Sequence, residues 1–265
     1  MAARRSSSIC TGVNSPGIHL QSALGALHRD GFVLLPGVLD CAQIDQLQAA
    51  IGRLKPQHWD YNVLVEHYKC VFNRDPLWLS YLDLPGVIEL AEAALGEDCH
   101  IIGQTAWRSH PGCLGMPLHL DYLVMAFPPE LLADPGFELP MQVCTLQCYL
   151  DDVDADLCPT RVLAGSHRAG RKPQPGEQQW QGQAAQSILC HAGDALMFRS
   201  ELWHGGSDNR TADRCRSMLQ VHYGRRMVAQ KFSPYLHWQF NPAVLAAATA
   251  RQRRLLGEHA EAEYD

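Results

Sequence analysis

Residues 193–224 read GDALMFRSELWHGGSDNRTADRCRSMLQVHYG: two runs of strand formers separated by a Trp-His-Gly-Gly corner and a polar loop. In the second run Arg216, Met218 and Gln220 alternate with Ser217 and Leu219. That period of two belongs to a strand, which sends neighbouring side chains to opposite faces. Ala192-Gly193-Asp194, just ahead of the first run, has the composition of a tight turn between strands. Similar short runs precede it: HIIGQTAW (100–107), PLHLDYLVM (117–125), QVCTLQCYLDD (142–152), TRVLAG (160–165) and SILCHAGDALMFR (187–199). Many short strands punctuated by Gly, Pro and Asp imply a β-sandwich or barrel, with its core over about residues 100–225.

The flanks read as helical. Leu20, Leu24 and Leu27 form one stripe of a short helix, and GFVLLPGVL (31–39) follows as a strand. Asp40 with Gln43 has the spacing of a capping box, and Ile44, Leu47, Ile51 and Leu54 give the helix behind it an apolar face. PGVIELAEAAL (85–95) has Pro near its start and Gly96 beyond its end, the usual asymmetry of a helix. Asn241-Pro242 opens an Ala-rich helix expected to run to about Leu256. The expected organisation is a flexible N-terminus over 1–19 and one domain over 20–265.

The 265 residues carry a net charge of −6, with 46% hydrophobic and 19% charged residues, a globular composition without a basic block. Nucleic acid is therefore a poor partner. No run approaches a membrane span, and Arg4 and Arg5 precede no apolar stretch of a secretory signal. The ten cysteines include no Cys-x-x-Cys; reduced thiols in a cytoplasmic protein, monomer or homodimer, are expected.

With 13 His and the Asp content of this chain, roughly 0.8 His-x-Asp triplets are expected by chance. Three occur: His28-Arg29-Asp30, His58-Trp59-Asp60 and His119-Leu120-Asp121. The first two lie at helix ends, where residues two apart diverge. His119 and Asp121 lie in a strand-like run, where they share a face. Read from the residues alone, they are either a metal-ligand pair or a hydrogen-bonded polar pair in a half-buried strand. His204, at a strand end beside two glycines, supplies a possible third ligand; two His and one carboxylate form the facial triad of non-haem Fe(II) oxygenases, which leaves open positions opposite. Arg216 on the following strand is a guanidinium inside a barrel. It needs an anion there, because an unpaired buried charge is costly. That anion is a carboxylate ligand or a local Asp such as Asp208 or Asp213.

In this order the motifs resemble those of the phytanoyl-CoA dioxygenase family of Fe(II)- and 2-oxoglutarate-dependent oxygenases. The resemblance runs over residues 25–226, through DGFVLLPGVLD (30–40), His119-x-Asp121, YLDDV (149–153), TRVLAGSHR (160–168), AGDALMF (192–198), WHGG (203–206) and RSMLQVHY (216–223). It implies a double-stranded β-helix, or jelly roll, of cupin-like type, flanked by helices. It implies His119, Asp121 and His204 on Fe(II), Arg216 and Thr160 on the far carboxylate of 2-oxoglutarate, and Gln104 at cosubstrate or substrate. O2 is the second cosubstrate. Retention of Asp121 implies oxidation of a C–H bond, by hydroxylation, desaturation or cyclisation, in place of halogenation.

The sequence departs from the family pattern at Leu157-Cys158, where Asn-Gly is usual, at Ala164, where Pro is usual, and at Gly206, where Ser is usual. Arg108, Tyr122 and Trp203 are candidate substrate residues, with Trp107 and Phe127 as further candidates for the pocket wall. Segments 125–140 and 171–183 are candidate lids, since loops on a rigid scaffold carry selectivity. A small natural-product or amino-acid-like substrate is expected ahead of an acyl-CoA or lipid. The rival readings are a cupin-like isomerase or lyase without 2-oxoglutarate, and a non-catalytic binding module.

Overall fold

In the computed structural model, which describes residues 18–55, 64–123, 125–232 and 237–261, the alternation that opens the sequence reading becomes the centre of a sheet. The chain runs α1 (Leu20–Arg29), β1 (Phe32–Leu35), α2 (Cys41–Arg53), β2 (Val65–Lys69), α3 (Val87–Leu95), β3 (His100–Ser109), α4 (Pro129–Ala133), β4 (Val143–Tyr149), β5 (Thr160–Val162), β6 (Gln179–Trp180), β7 (Gln183–Ala184), β8 (Gln186–Ser187), β9 (Ala195–Arg199), β10 (His204–Gly206), β11 (Arg216–Gly224), α5 (Pro242–Ala247) and α6 (Ala250–Leu255). The larger sheet has the order β1-β9-β4-β11-β3-β2, and the smaller one β10-β5-β8. All their pairings are antiparallel. This is the expected mainly β, jelly-roll architecture with flanking helices.

Every residue of β4, β9 and β11 is buried. These strands therefore read as continuous apolar runs with polar residues placed at every second position. One face packs on the helices through Leu146, Leu219, Val221 and Tyr223, in a core shared with Leu47, Ile88 and Leu90. The other face looks into the barrel. Register fixes its rows: Met218 lies between Trp107 and Tyr149, Gln220 between Thr105 and Gln147, and His222 between Gly103 and Thr145. Burying apolar side chains on the helix face contributes about 1.5–3 kcal/mol each; the polar rows opposite contribute little to that core.

The Asp40–Gln43 capping box forms as expected, with both reciprocal bonds at 2.8 and 3.0 Å. Gly193 takes φ 96°, and a Cβ there would lie 2.5 Å from the Leu39 carbonyl. Three expectations are revised. The β core is not confined to 100–225, because β1 and β2 from the N-terminal third form both edges of the larger sheet. The closing helix is two helices, broken at Ala248 and recapped by Thr249, whose side chain accepts from the Gln252 amide. Cys41 is disulfide-bonded, whereas the eight other described cysteines are free. The flexible N-terminus read over 1–19 lies, up to residue 17, outside the described residues, as does His58-Trp59-Asp60.

Candidate metal and cosubstrate site

His119 and His204 are joined by a single antiparallel bridge. Each backbone amide donates to the other's carbonyl at 2.8 Å. Over its described residues the run 117–125 is thus not the strand expected; among them it touches the smaller sheet only at residue 119. Pro117 and the bends around Leu118 and Asp121 prevent a ladder. The shared facing of residues 119 and 121 survives, because the Asp121 amide donates to the Ser200 carbonyl at 3.0 Å. Glycines allow the close approach. A Cβ on Gly205 would lie 2.6 Å from the Met116 carbonyl oxygen, and one on Gly115 2.3 Å from that of Gly206.

The bridge sets the two imidazoles 4.4 Å apart between ring centroids. The Asp121 carboxylate stands 3.9 Å from His119 Nε2 and 3.6 Å from His204 Nε2. All three ligand atoms lie within 4.8 Å of one another. The outer nitrogens are occupied: His119 Nδ1 pairs with the Pro117 carbonyl at 2.9 Å and His204 Nδ1 with the Leu202 carbonyl at 3.0 Å. Backbone partners of this kind fix the tautomer and aim Nε2 inward. Burial, reinforced by His119, pushes the His204 pKa down against the pull of Asp121. Burial pushes the Asp121 carboxyl up, but His204, His222, His119 and Lys231 outweigh it and hold it below its ordinary value. At neutral pH His204 therefore offers a lone pair and Asp121 a negative charge, as metal ligation requires.

A cavity of about 890 Å³ adjoins the triad. Arg216 lies in its wall, 7% exposed. One guanidinium nitrogen donates to the Cys158 carbonyl, while Nε has no partner. Neither Asp208 nor Asp213 is its counter-ion: Asp208 accepts from the Gly115 amide instead, and no described acidic residue forms an ion pair with Arg216. Thr160 lines the same wall, accepting from the Tyr149 hydroxyl at 2.8 Å and donating to Gln147 Oε1 at 3.2 Å. The structure thus brings His119, Asp121, His204, Arg216, Thr160 and Tyr122 to one cavity.

The phytanoyl-CoA dioxygenase (PhyH) family model matches residues 27–218. The chain belongs to the phytanoyl-CoA dioxygenase family. Among curated proteins it is 24% identical over 190 residues to the uncharacterized protein Rv1501 of Mycobacterium tuberculosis, covering 69% of this chain and 63% of that protein. The chain thus spans less than two thirds of that relative's length. Among solved structures it is similar to HygX from Streptomyces hygroscopicus with nickel and 2-oxoglutarate bound, at TM-score 0.64 and 16% identity, covering 79% of this chain and 89% of that one. It is also similar to the non-haem α-ketoglutarate-dependent epimerase SnoN from nogalamycin biosynthesis, at TM-score 0.63 and 16% identity, covering 91% of each chain.

Three residues expected at the family's cosubstrate or substrate positions find other partners. Gln104 is fully buried along the cavity wall, but its amide turns away from the barrel to donate to the Trp78 carbonyl at 3.2 Å. The inward positions of β3 are 105, 107 and 109; residues 104 and 108 alternate to the other face. Arg108 accordingly stands 3.9 Å from Glu66 Oε2, away from the cavity. Trp203 is fully buried between Leu118 and Leu163, and its indole donates to the Arg171 carbonyl at 2.9 Å. Trp107 and Tyr122 do line the cavity; Phe127 instead packs on Phe137, ring centroids 5.5 Å apart.

The two candidate lids lie outside the cavity wall. Arg168 ties the first down by donating to the carbonyls of Leu132, Asp134 and Phe137. The wall is closed instead by 65–70, 113–116 and 229–231. Sequence reasoning also missed Gln147, Gln220 and His222, although each falls on the period-two inward face of its strand. Burial and Lys231 push the His222 pKa down to about 3, so it faces the triad as a neutral ring. Lys231, which sits 4.9 Å over the Tyr122 ring, follows the last strand and left no signal.

Proposed function

We propose that the protein is an Fe(II)- and 2-oxoglutarate-dependent dioxygenase that oxidises a C–H bond of a small molecule, with release of succinate and CO2. The carrying observation is the convergence of His119, Asp121 and His204 within 4.8 Å beside a cavity that also holds an Arg without an acidic partner. The donor set, two imidazoles and one carboxylate, suits ferrous iron and leaves positions open for cosubstrates. When bound, Fe(II) supplies the redox chemistry by which O2 and 2-oxoglutarate oxidise the substrate.

The protein's own contribution is placement. Arg216 presents a planar fork suited to the distal carboxylate of a dicarboxylic keto acid. The Thr160 hydroxyl, oriented by Tyr149 and Gln147, adds a polar group at that end. Trp107 fixes the floor through its indole, which donates to Gln220 Oε1 at 2.5 Å and stacks on His67 with ring centroids 3.7 Å apart. Lys69 and Lys231 also line the cavity, and burial, with Lys69, pushes the Lys231 pKa down against the pull of Asp121. Their charge favours a substrate with an anionic or strongly hydrogen-bond-accepting group. A natural-product or amino-acid-like molecule fits this description and a cavity of about 890 Å³. HygX has been solved with hygromycin B bound, and SnoN with nogalamycin RO; those ligands are theirs, and they support the small-molecule class. No described helix is long and apolar enough to cross a membrane. The Arg216 environment disfavours a cupin-like isomerase that needs no keto acid.

The test is anaerobic addition of 2-oxoglutarate to Fe(II)-loaded protein. A weak visible charge-transfer band, followed under O2 by substrate-independent succinate, is expected. Absence of both overturns the reading.

A further inference from the structure

Arg216, Lys69 and Lys231 line the cavity, and Asp121 is the one carboxylate among its described lining residues. The protein as a whole carries a net charge of −6, so cations are concentrated here in an acidic molecule. Asp121 stands against the two imidazoles of the triad, and Arg216 serves the keto acid in the function proposed above. Lys231 remains. No described acidic residue forms an ion pair with its amine, whose described contact is the Tyr122 ring, 4.9 Å from the centroid.

The chain that carries Lys231 is pinned. Beyond β11 the Arg225 amide donates to the Gln142 carbonyl at 3.0 Å, and the His100 ring donates to the Val228 carbonyl at 2.7 Å. The Gln230 side-chain amide donates to the Ile101 carbonyl at 3.0 Å, and the Lys231 backbone amide to the Ile102 carbonyl at 2.9 Å. A Cβ on the neighbouring Gly103 would lie 3.8 Å from His222 Cδ2 and 3.9 Å from Lys231 Cδ. The lysine stem and His222 therefore share the space over that glycine. The Tyr122 face attracts the ammonium through its quadrupole and leaves N–H groups available to an acceptor. Arg216 belongs to the other end of the cavity: on β11 it pairs with Ser109, whereas His222 pairs with Gly103. At about 3.3 Å per residue, positions 216 and 222 lie roughly 20 Å apart along the strand, farther than one five-carbon keto acid reaches.

We propose that Lys231, held on the face of Tyr122, determines substrate specificity by receiving the carboxylate of a small organic acid whose body lies in the cavity toward the triad. One ammonium is a compact single charge, which a carboxylate matches. A phosphate monoester brings up to about two charges, and one ammonium leaves part of that unmet. Leu114, 73% exposed, and Met116 line the same cavity. They are apolar surface for the body of the acid, in the usual pattern of an apolar pocket with a few placed polar groups. Calling the occupant the substrate rests on the function proposed above; the anion site itself does not.

The experiment uses a fluorescent methoxycoumarin carboxylate, its carboxamide and its phosphonate, which differ in the charged group alone. Fluorescence anisotropy measures their binding to Ni(II)-loaded full-length protein in excess 2-oxoglutarate, for wild type, Lys231→Met, Lys231→Arg and Arg216→Met. The carboxylate is expected to bind at least tenfold more tightly than the amide. Lys231→Met removes that preference, and Lys231→Arg and Arg216→Met keep it. Equal binding of carboxylate and amide to wild type, binding of neither, or a preference that survives in Lys231→Met overturns the site. A phosphonate that binds more tightly than the carboxylate overturns the carboxylate assignment. A screen of paired acids and methyl esters, read as succinate released above the substrate-free rate, is expected to show turnover of acids; esters turned over as fast as their acids overturn Lys231 as the selecting residue. Protein that fails to bind 2-oxoglutarate overturns the proposed function, while the paired probes and the Lys231 variants still decide the anion site.

Discussion

Replacing Arg216 by Met tests the cosubstrate reading most directly, because two of its effects run in opposite directions. The guanidinium is 7% exposed, its Nε is unpartnered, and its described partner is the Cys158 carbonyl. In the absence of keto acid it is a charge held mostly out of water without a counter-ion. Removing such a charge in favour of an apolar chain of similar reach is neutral or stabilising. The melting temperature of Arg216→Met should therefore be no lower than wild type, and about 2–4 °C higher for each kcal/mol of desolvation relieved. The ligand effect is a loss. A carboxylate on this fork accepts charge-assisted hydrogen bonds worth about 1.5–3 kcal/mol each. Taking about 3 kcal/mol for the pair, after water replaces part of it, the Kd for 2-oxoglutarate should rise roughly 10²-fold. Thermal melts of the metal-loaded protein over a series of 2-oxoglutarate concentrations read both numbers at once, since ligand raises the melting temperature by mass action. A variant that melts well below wild type, or that binds 2-oxoglutarate within threefold of it, refutes the argument that Arg216 is an anion receptor awaiting its ligand.

Asp121→Asn should lower affinity for Fe(II) or Co(II) by at least the ~10–100-fold that loss of an outer partner costs, measured by anaerobic calorimetry; unchanged affinity removes Asp121 from the metal site. His167, 1% exposed, has its pKa pushed down to about 3 by burial and by Arg199. Because the folded value lies below the unfolded ~6.5, its contribution is complete above that pH and is lost as pH falls toward 3, at up to ~1.4 kcal/mol per unit. Urea melts from pH 7 to pH 4.5 should show a shallower loss for His167→Gln, and equal slopes refute the assignment. Gly205→Ala places a Cβ 2.6 Å from the Met116 carbonyl oxygen; it should cost about 1–3 kcal/mol by overpacking and weaken metal binding by prising His204 from His119, which a melt with and without Co(II) resolves. Trp203→Phe removes the 2.9 Å bond to the Arg171 carbonyl and should cost about 1 kcal/mol of stability, while metal and 2-oxoglutarate affinities stay within twofold; a larger affinity change returns Trp203 to the site.

The sequence by itself determined most of the β core and the capping box at Asp40, because each depends on local periodicity or on residues a few positions apart; His204, far along the chain from His119 and Asp121, joined them as a candidate ligand through the order of the motifs. Alternation along β11 placed Arg216 on the inward face without coordinates. The same alternation along β3 puts residue 104 outside when counted from Trp107, yet only the β3–β11 register showed which face was inward. Tertiary structure alone decided what surrounds those residues. That His119 meets His204 through one bridge follows from two glycines that let distant segments touch. Trp203 and Arg108 found partners in Arg171 and Glu66, and the first of the segments that looked like lids was pinned elsewhere by Arg168. Lys231 came from a loop beyond the strands, where no repeat constrains direction. Local chain chemistry sets which way a side chain points relative to its neighbours, whereas the partner it reaches is set by long-range packing, which no short window of sequence contains.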